Sequence, residues 1–522
     1  MKLHCCFLLG LACGHAQART AQADRFSCGG PVEQQVWDVW DEDVRGLLKQ
    51  RLLQDRLLKQ GDVYALYDFQ SYAHNLVSMA RRCKRTARLR EVAGLVQTAY
   101  GALEPGTQSS PGQRWICRGG GTCNEKNRLL NSEVVLDSVQ FLGLASSLAN
   151  ALASSNARLD EKDRAFVSDT IRIVSEHLDR WADDAAIRRL RKAAEARPHD
   201  VKDGSSALFF TDHHLWLITI YAELAGLRQW QARTHSGPVE DEDKPRLREH
   251  FGALLRLFSA RTSFQDAGKG GRKRGVMADI DRGYWRHYAD NRYAGYEKEN
   301  KPVVCASSKN GESESKPDVR VPKDSVRLPP DTGWDISHAR RLVHALDALE
   351  RNRNAMKSVF SMEERELPAK RLGLAFADRL VASVWNGDTA RPLFSNYWSG
   401  ANGWFRVAYD DGAGQCSEGY PPYGMTDSFP TGGYVTWARY RPVIAVLGRR
   451  LYGLTNSHEQ ENMRFVAKYY PNLGASASTQ SRALSRIMFL PSLVGIPGGE
   501  AQGGRRDGAT HLIPARVQGK LN

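Results

Sequence analysis

Two short segments concentrate side chains that can move protons and hold anions. Phe209-Phe210-Thr211-Asp212-His213-His214-Leu215-Trp216 sets two histidines and a carboxylate at the start of a helix, and Asp281-Arg282-Gly283-Tyr284-Trp285-Arg286-His287-Tyr288 interleaves arginines with tyrosines and leads on to Arg292 and Tyr293. The positive end of a helix backbone disfavours imidazolium, so a histidine there is expected neutral and able to act as a base. Arginine grips a carboxylate through two parallel hydrogen bonds, and a guanidinium beside a tyrosine lowers the pKa of its phenol. Together these groups suit β-elimination at a uronic acid. The sugar carboxylate must be neutralised before the C5 proton can leave; a base then takes that proton and an acid protonates the departing glycosidic oxygen. The chemistry needs neither a metal nor an organic cofactor. Taken singly, each segment also reads as ordinary structure: a capped helix with a packed histidine, and a solvated basic loop.

Two further clusters bear on the substrate. Gly333-Trp334-Asp335-Ile336-Ser337-His338-Ala339-Arg340-Arg341 puts His338 and Arg341 one turn apart on a helix beside an aromatic surface, which would suit an acidic sugar unit. The stretch from Cys416 to Pro430 is rich in aromatics, proline and glycine, with Tyr420 and Tyr423 as flat faces for a sugar and Glu418 and Asp427 as carboxylates. Paired carboxylates are the acid and base of glycoside hydrolysis, so Glu418, Asp427 and Asp335 carry the rival chemistry.

A resemblance enters at the first pair of segments. Thr211 to Trp216 resembles the Asn-Asn-His-x-x-Trp motif of the alginate lyase superfamily, and Arg282 followed six residues later by Tyr288 is similar to that family's downstream Arg…Tyr element. The resemblance implies an (α/α) toroid in which His213 is the catalytic histidine, Tyr288 the catalytic tyrosine and Arg282 its supporting arginine. Thr211 and Asp212 depart from the family's two amides, and an ionised Asp212 would repel a substrate carboxylate. Either Asp212 is protonated when substrate binds, or Asn131, His214 or Arg286 does the neutralising, with Arg292 nearby in the chain. The resemblance covers only residues 211–288.

The elements that must position these groups are helices. Apolar residues return every three or four positions over 36–59, 73–80, 88–103, 133–152, 161–178, 213–224, 245–258, 337–351, 369–384, 433–454 and 458–470. Strand signals are scarce, the best lying over 404–409. This pattern gives an all-α chain, an (α/α) toroid of helical hairpins with long irregular loops and little β structure. Short polar residues precede several helices: Asn131 or Ser132, Thr211 or Asp212, Asp335 and Thr431. Aromatic residues recur beside these caps, a pattern that suits a sugar cleft at one end of a ring. The glycine-rich basic segment 266–274 reads as an exposed loop or a flap over a polyanion, and 306–330, with four prolines, reads as an exposed connection.

Residues 1–23 read as a signal peptide: a charged start, an apolar run and small-x-small cleavage signals. Residues 24–500 follow as one catalytic domain and 501–522 as a disordered tail. No later run approaches the ~20 apolar residues that cross a bilayer, so no transmembrane segment is expected. Removing the leader leaves Cys28, Cys83, Cys117, Cys123, Cys305 and Cys416, enough for three disulfides in an oxidising compartment, with Cys117 and Cys123 the natural local pair. Their spacing fits no zinc motif. A formal charge of +14 favours a polyanion, and with a leader that means an acidic glycan and not nucleic acid. The expectation is a monomeric, periplasmic or secreted lyase acting on an alginate- or glucuronan-like polysaccharide. The alternatives are a glycoside hydrolase on a similar toroid and a noncatalytic acidic-glycan-binding envelope protein.

Overall fold

The helical periodicity translates into a chain that is 60% helix and 6% strand. The computed structural model describes residues 25–106, 112–125, 127–155, 157–202, 206–234, 244–266, 275–306, 316–408 and 416–496. The expected leader and tail therefore lie outside the described residues, as does the basic segment from residue 267 to residue 274. The helices are α1 (Pro31–Val39, continued in wider π turns to Lys59), α2 (Tyr64–Arg82), α3 (Thr86–Tyr100), α4 (Val135–Ala153), α5 (Glu161–Trp181), α6 (Asp184–Glu195), α7 (Asp212–Thr234), α8 (Lys244–Arg261), α9 (Ile336–Ala339), α10 (Arg341–Arg351), α11 (Arg353–Val359), α12 (Leu372–Arg379), α13 (Ser428–Thr431), α14 (Val443–Thr455), α15 (Gln460–Tyr469) and α16 (Thr479–Phe489).

Helix α4 explains the packing. It is apolar almost all round, and such a helix must be covered on every side. Helices α2, α3, α5 and α7 pack against it, and α10 and α11 pack on the far side of α7. α4 is long and apolar enough to cross a membrane by length and composition alone, yet 89% of its apolar stretch is buried inside the protein, where it serves as core. Gly143 lets α7 approach: a Cβ there would lie 2.6 Å from the Trp216 ring.

One charge sits in this core and is fully matched. Glu223 of α7 is buried and accepts hydrogen bonds from Ser147 (2.9 Å), Asn150 (2.7 Å), Asn352 (3.0 Å) and Arg351 (2.5 Å), linking α4, α7 and α10. Arg351→Met would strand this carboxylate, and a loss of about 3–5 kcal/mol is expected in urea unfolding because an uncompensated buried charge remains.

The β structure is small. Strand β1 (Thr262–Asp266) pairs antiparallel with β2 (Val276–Ile280), Thr262 opposite Ile280, and β3 (Val303–Ala306) with β4 (Lys316–Val319), Val303 opposite Val319. The strand expected over 404–409 reduces, among the described residues, to a single bridge between Phe405 and Tyr420. Arg406 and Ala408 both have φ of 54°, which an extended strand cannot hold. The irregular segments fold back on the helix ends, with Asp335 bridging Tyr397 and the Arg406 guanidinium 2.8 Å from Asp290.

Three disulfides form: Cys28–Cys83, Cys117–Cys123 and Cys305–Cys416. The local pair is the expected one. Cys28–Cys83 ties the first described turn to the end of α2 across 55 residues. Replacing both cysteines by alanine is expected to lower stability by about 2–4 kcal/mol, chiefly by freeing the unfolded chain; a lower urea midpoint under oxidising conditions, matched by the native chain only after reduction, checks it.

Candidate functional site

The two motif segments are far apart in sequence and meet at one carboxylate. Asp281 accepts the Phe210 N–H (3.1 Å) from the first segment and the Trp285 Nε1–H (2.5 Å) within the second. Its other oxygen lies 2.8 Å from Arg261, itself buried and donating to the carbonyls of Ala193 and Leu208. Burial pushes the Asp281 carboxyl up to about 7, while Arg261 pulls the other way.

α7 opens at Asp212. The Thr211 N–H donates to His214 Nδ1 (3.0 Å), the His214 N–H donates back to the Thr211 carbonyl (3.0 Å), and the His214 ring stacks on Phe210. His214, expected to touch substrate, is instead part of the helix start: its acceptor nitrogen satisfies a backbone donor. His213 points elsewhere. Burial pulls its pKa down to about 4 against the opposing influence of Asp212, and its Nε2 is buried with no hydrogen-bond partner among the described residues. The neutrality expected from the helix end is present, with burial as its main cause.

Asp212 is the point on which charged groups converge. One oxygen accepts the His213 N–H (3.0 Å), and the other lies 3.4 Å from Arg341. Burial raises its pKa, but Arg341, then His338 and His213, outweigh burial and hold the carboxyl below the ordinary range. In the substrate-free protein Asp212 is thus compensated by Arg341.

Arg341, the first residue of α10, also donates to Tyr67 Oη (2.7 Å) and to the Ser337 carbonyl (2.7 Å). Tyr67 comes from α2 and had no sequence signal beyond helical spacing. Its phenol sits against Arg341 and Arg340, and these guanidiniums, Arg341 foremost, lower its pKa despite burial. Burial foremost, helped by Asp68 and Asp169 respectively, drives Tyr72 and Tyr100 the opposite way.

α9 starts at Asp335, whose carboxylate accepts the N–H groups of Ser337 (2.9 Å) and His338 (3.0 Å) and the His338 Nδ1–H (2.5 Å). Although buried, Asp335 is held well below the carboxylate range by His338. The His338 ring is 5.7 Å from Trp285, which packs at 4.7 Å on Tyr288; Phe209 completes the cluster, 5.5 Å from Tyr288 and 5.3 Å from Trp285. Thus Asp212, His213, His338, Arg341 and Tyr288 belong to one neighbourhood.

The remaining candidates are held by other contacts. Arg282 pairs with Asp331 at 2.8 Å. Arg286 donates to His287, Arg292 is exposed, and Asn131 is an exposed loop residue that accepts from Arg118. Trp334 is fully buried, stacked on Phe210 and donating to its carbonyl, so it offers no face to a sugar as it stands. Tyr420 is 47% exposed beside Phe405, and the Tyr423 N–H donates to Asn402. Glu418 pairs with Lys301 at the surface, whereas burial raises the Asp427 carboxyl and Arg340 pulls it back.

Comparisons with family models, curated proteins and solved structures return no match.

Proposed function

We propose that the chain is a periplasmic or secreted polysaccharide lyase that cleaves a uronic-acid-containing polysaccharide, alginate- or glucuronan-like, by β-elimination on an (α/α) toroid. One observation supports the reading: Asp281 accepts from both motif segments, which ties the segment that carries His213 to the one that carries Tyr288. The three disulfides fit an oxidising compartment.

In this mechanism Arg340 and Arg341, with the Tyr67 hydroxyl, receive the uronate carboxylate, the task of the missing amides for which the sequence offered Asn131, His214 or Arg286. Neutralising that charge acidifies C5–H. His213 Nε2 takes the proton, the C–H electrons form the C4–C5 double bond, and the C4–O bond breaks. Tyr288 gives its proton to the departing oxygen and regains one from solvent, to which His213 returns its own.

Incubation with alginate, glucuronan and glycosaminoglycans should release unsaturated uronates that absorb in the ultraviolet. A complete panel yielding only saturated ends rejects the lyase. The pH dependence has a definite sign: the base is active when neutral, its pKa is lowered to about 4, and so kcat/KM should hold steady down to pH 5 and fall as pH drops through about 4. An acid limb near 6.5 would mean an unburied base.

Hydrolysis is the second reading, favoured by Asp427, whose raised pKa suits a general acid, in contrast to the lowered carboxyls of Asp335 and Asp212. It predicts saturated products and their loss in Asp427→Asn. Binding of acidic glycans without any product would leave a noncatalytic binder.

A further inference from the structure

α2 and α10 flank a cavity of about 320 Å³ whose lining joins apolar side chains such as Val343 and Ile496 to Arg81, Arg82, Arg351, Arg439 and Asp347. Asp347 holds three of the four guanidiniums: Oδ2 accepts from Arg81 (2.7 Å) and Arg351 (2.8 Å), and Oδ1 from Arg439 (3.0 Å). Arg351 is further matched by Glu223, and Arg439 by Glu350 at 3.0 Å. Arg82 is different. Its guanidinium donates to the backbone carbonyls of Val494 (2.9 Å), Pro491 (2.8 Å) and Ser78 (3.4 Å), which fix its position without cancelling its charge.

Four cations thus face three carboxylates around an open space, and one of those carboxylates, Glu350, is half exposed. Burial and the neighbouring Arg81 bring the Arg82 pKa down to about 10, as expected where positive charge is in excess. The cavity also has a neutral wall. His344 stacks on His74 at 3.6 Å, and burial pulls the His344 pKa down to about 3. Asn75 and His344 border both this cavity and the small one beside Arg340, Arg341 and Trp216, so the two open spaces lie side by side along α10.

We propose that this cavity is a second anion site, which takes the carboxylate of a further uronate unit between Arg81 and Arg439. The demand for an oxyanion comes from the excess positive charge; the choice of a uronate as its carrier rests on the lyase reading. Of the stacked pair His344 alone lines the cavity, where it sets an uncharged ring beside the cations.

Titration calorimetry of the full chain with glucuronate, sulfate and glucose tests this. Two glucuronate sites per chain are expected, of which Arg439→Gln weakens one at least tenfold and leaves the other, the loss of one charge-assisted hydrogen bond being worth about that much. Glucose should occupy neither. Arg81→Gln, on a different helix, repeats the test if Arg439→Gln fails to fold. A single site indifferent to both variants overturns the second site and leaves the lyase reading standing. A single site abolished by both upholds the second site and counts against the lyase reading at Arg341. Sulfate binding without glucuronate binding overturns the assignment to a uronate.

Discussion

Replacing His213 with alanine lowers the cleavage of a uronate polymer about 10²–10⁴-fold, the range by which positioned proton transfer accelerates reactions. The neutral Nε2 is buried and makes no hydrogen bond among the described residues, so the substitution removes a base while leaving Asp212 paired with Arg341. Binding of a noncleavable oligosaccharide should change little, because the carboxylate grip lies elsewhere. Tyr288→Phe keeps the ring against Phe209 and Trp285 and removes only the hydroxyl, and a loss of similar size is expected. Initial rates from ultraviolet absorbance, set beside direct binding, check both. If the double variant turns over like the native chain, the proposed mechanism fails.

Arg341→Met is the second large effect, and it registers in two measurements. The guanidinium lies 3.4 Å from Asp212 and donates at 2.7 Å to Tyr67, so its loss removes the principal counter-charge of a buried carboxylate. Unfolding stability should fall by about 3–5 kcal/mol, as when one partner of a buried pair is deleted. Activity should fall at least 10-fold, with about 1.5–3 kcal/mol lost for each charged hydrogen bond to substrate. Arg282→Met is the control that separates geometry from resemblance. Arg282 pairs with Asp331 at a partly exposed position, and its removal should cost little stability, about 0–1 kcal/mol. A larger activity loss for Arg282→Met than for Arg341→Met would favour the arginine that the family motif indicates over Arg341.

Much of the helical framework is legible because burial of one stripe imposes a period of three to four. The span 161–178 matches Glu161–Trp181, whose start is fixed by reciprocal hydrogen bonds between Asp160 and Asp163. Misreadings occur where the period is right and the backbone is not. The stretch 433–454 has continuous apolar spacing, yet it divides into a 3-10 segment, Tyr434–Arg439, and a helix from Val443, because Pro442 cannot donate within a continuing helix and fits only near a helix start. In the site, capping logic located Asp335, whereas the single helix expected over 337–351 divides at Arg340, with His338 in α9 and Arg341 opening α10. Tyr67 was not legible: its neighbours spell a plain amphipathic helix, and its character comes from two arginines more than 270 residues away. Asp281 was likewise overlooked, since what distinguishes it is a set of partners supplied by tertiary contact.

That carboxylate also decouples the site from chain length. Because Asp281 clasps residue 210 directly, 71 positions upstream, the separation of the two segments along the chain does not set their separation in space. Whatever runs between α7 and α8, or between β1 and β2, can lengthen or shorten at a cost that grows only logarithmically with the number of residues. Insertions grafted into either connection should therefore leave turnover intact, whereas swapping the single clasping residue for alanine would let the two halves drift apart.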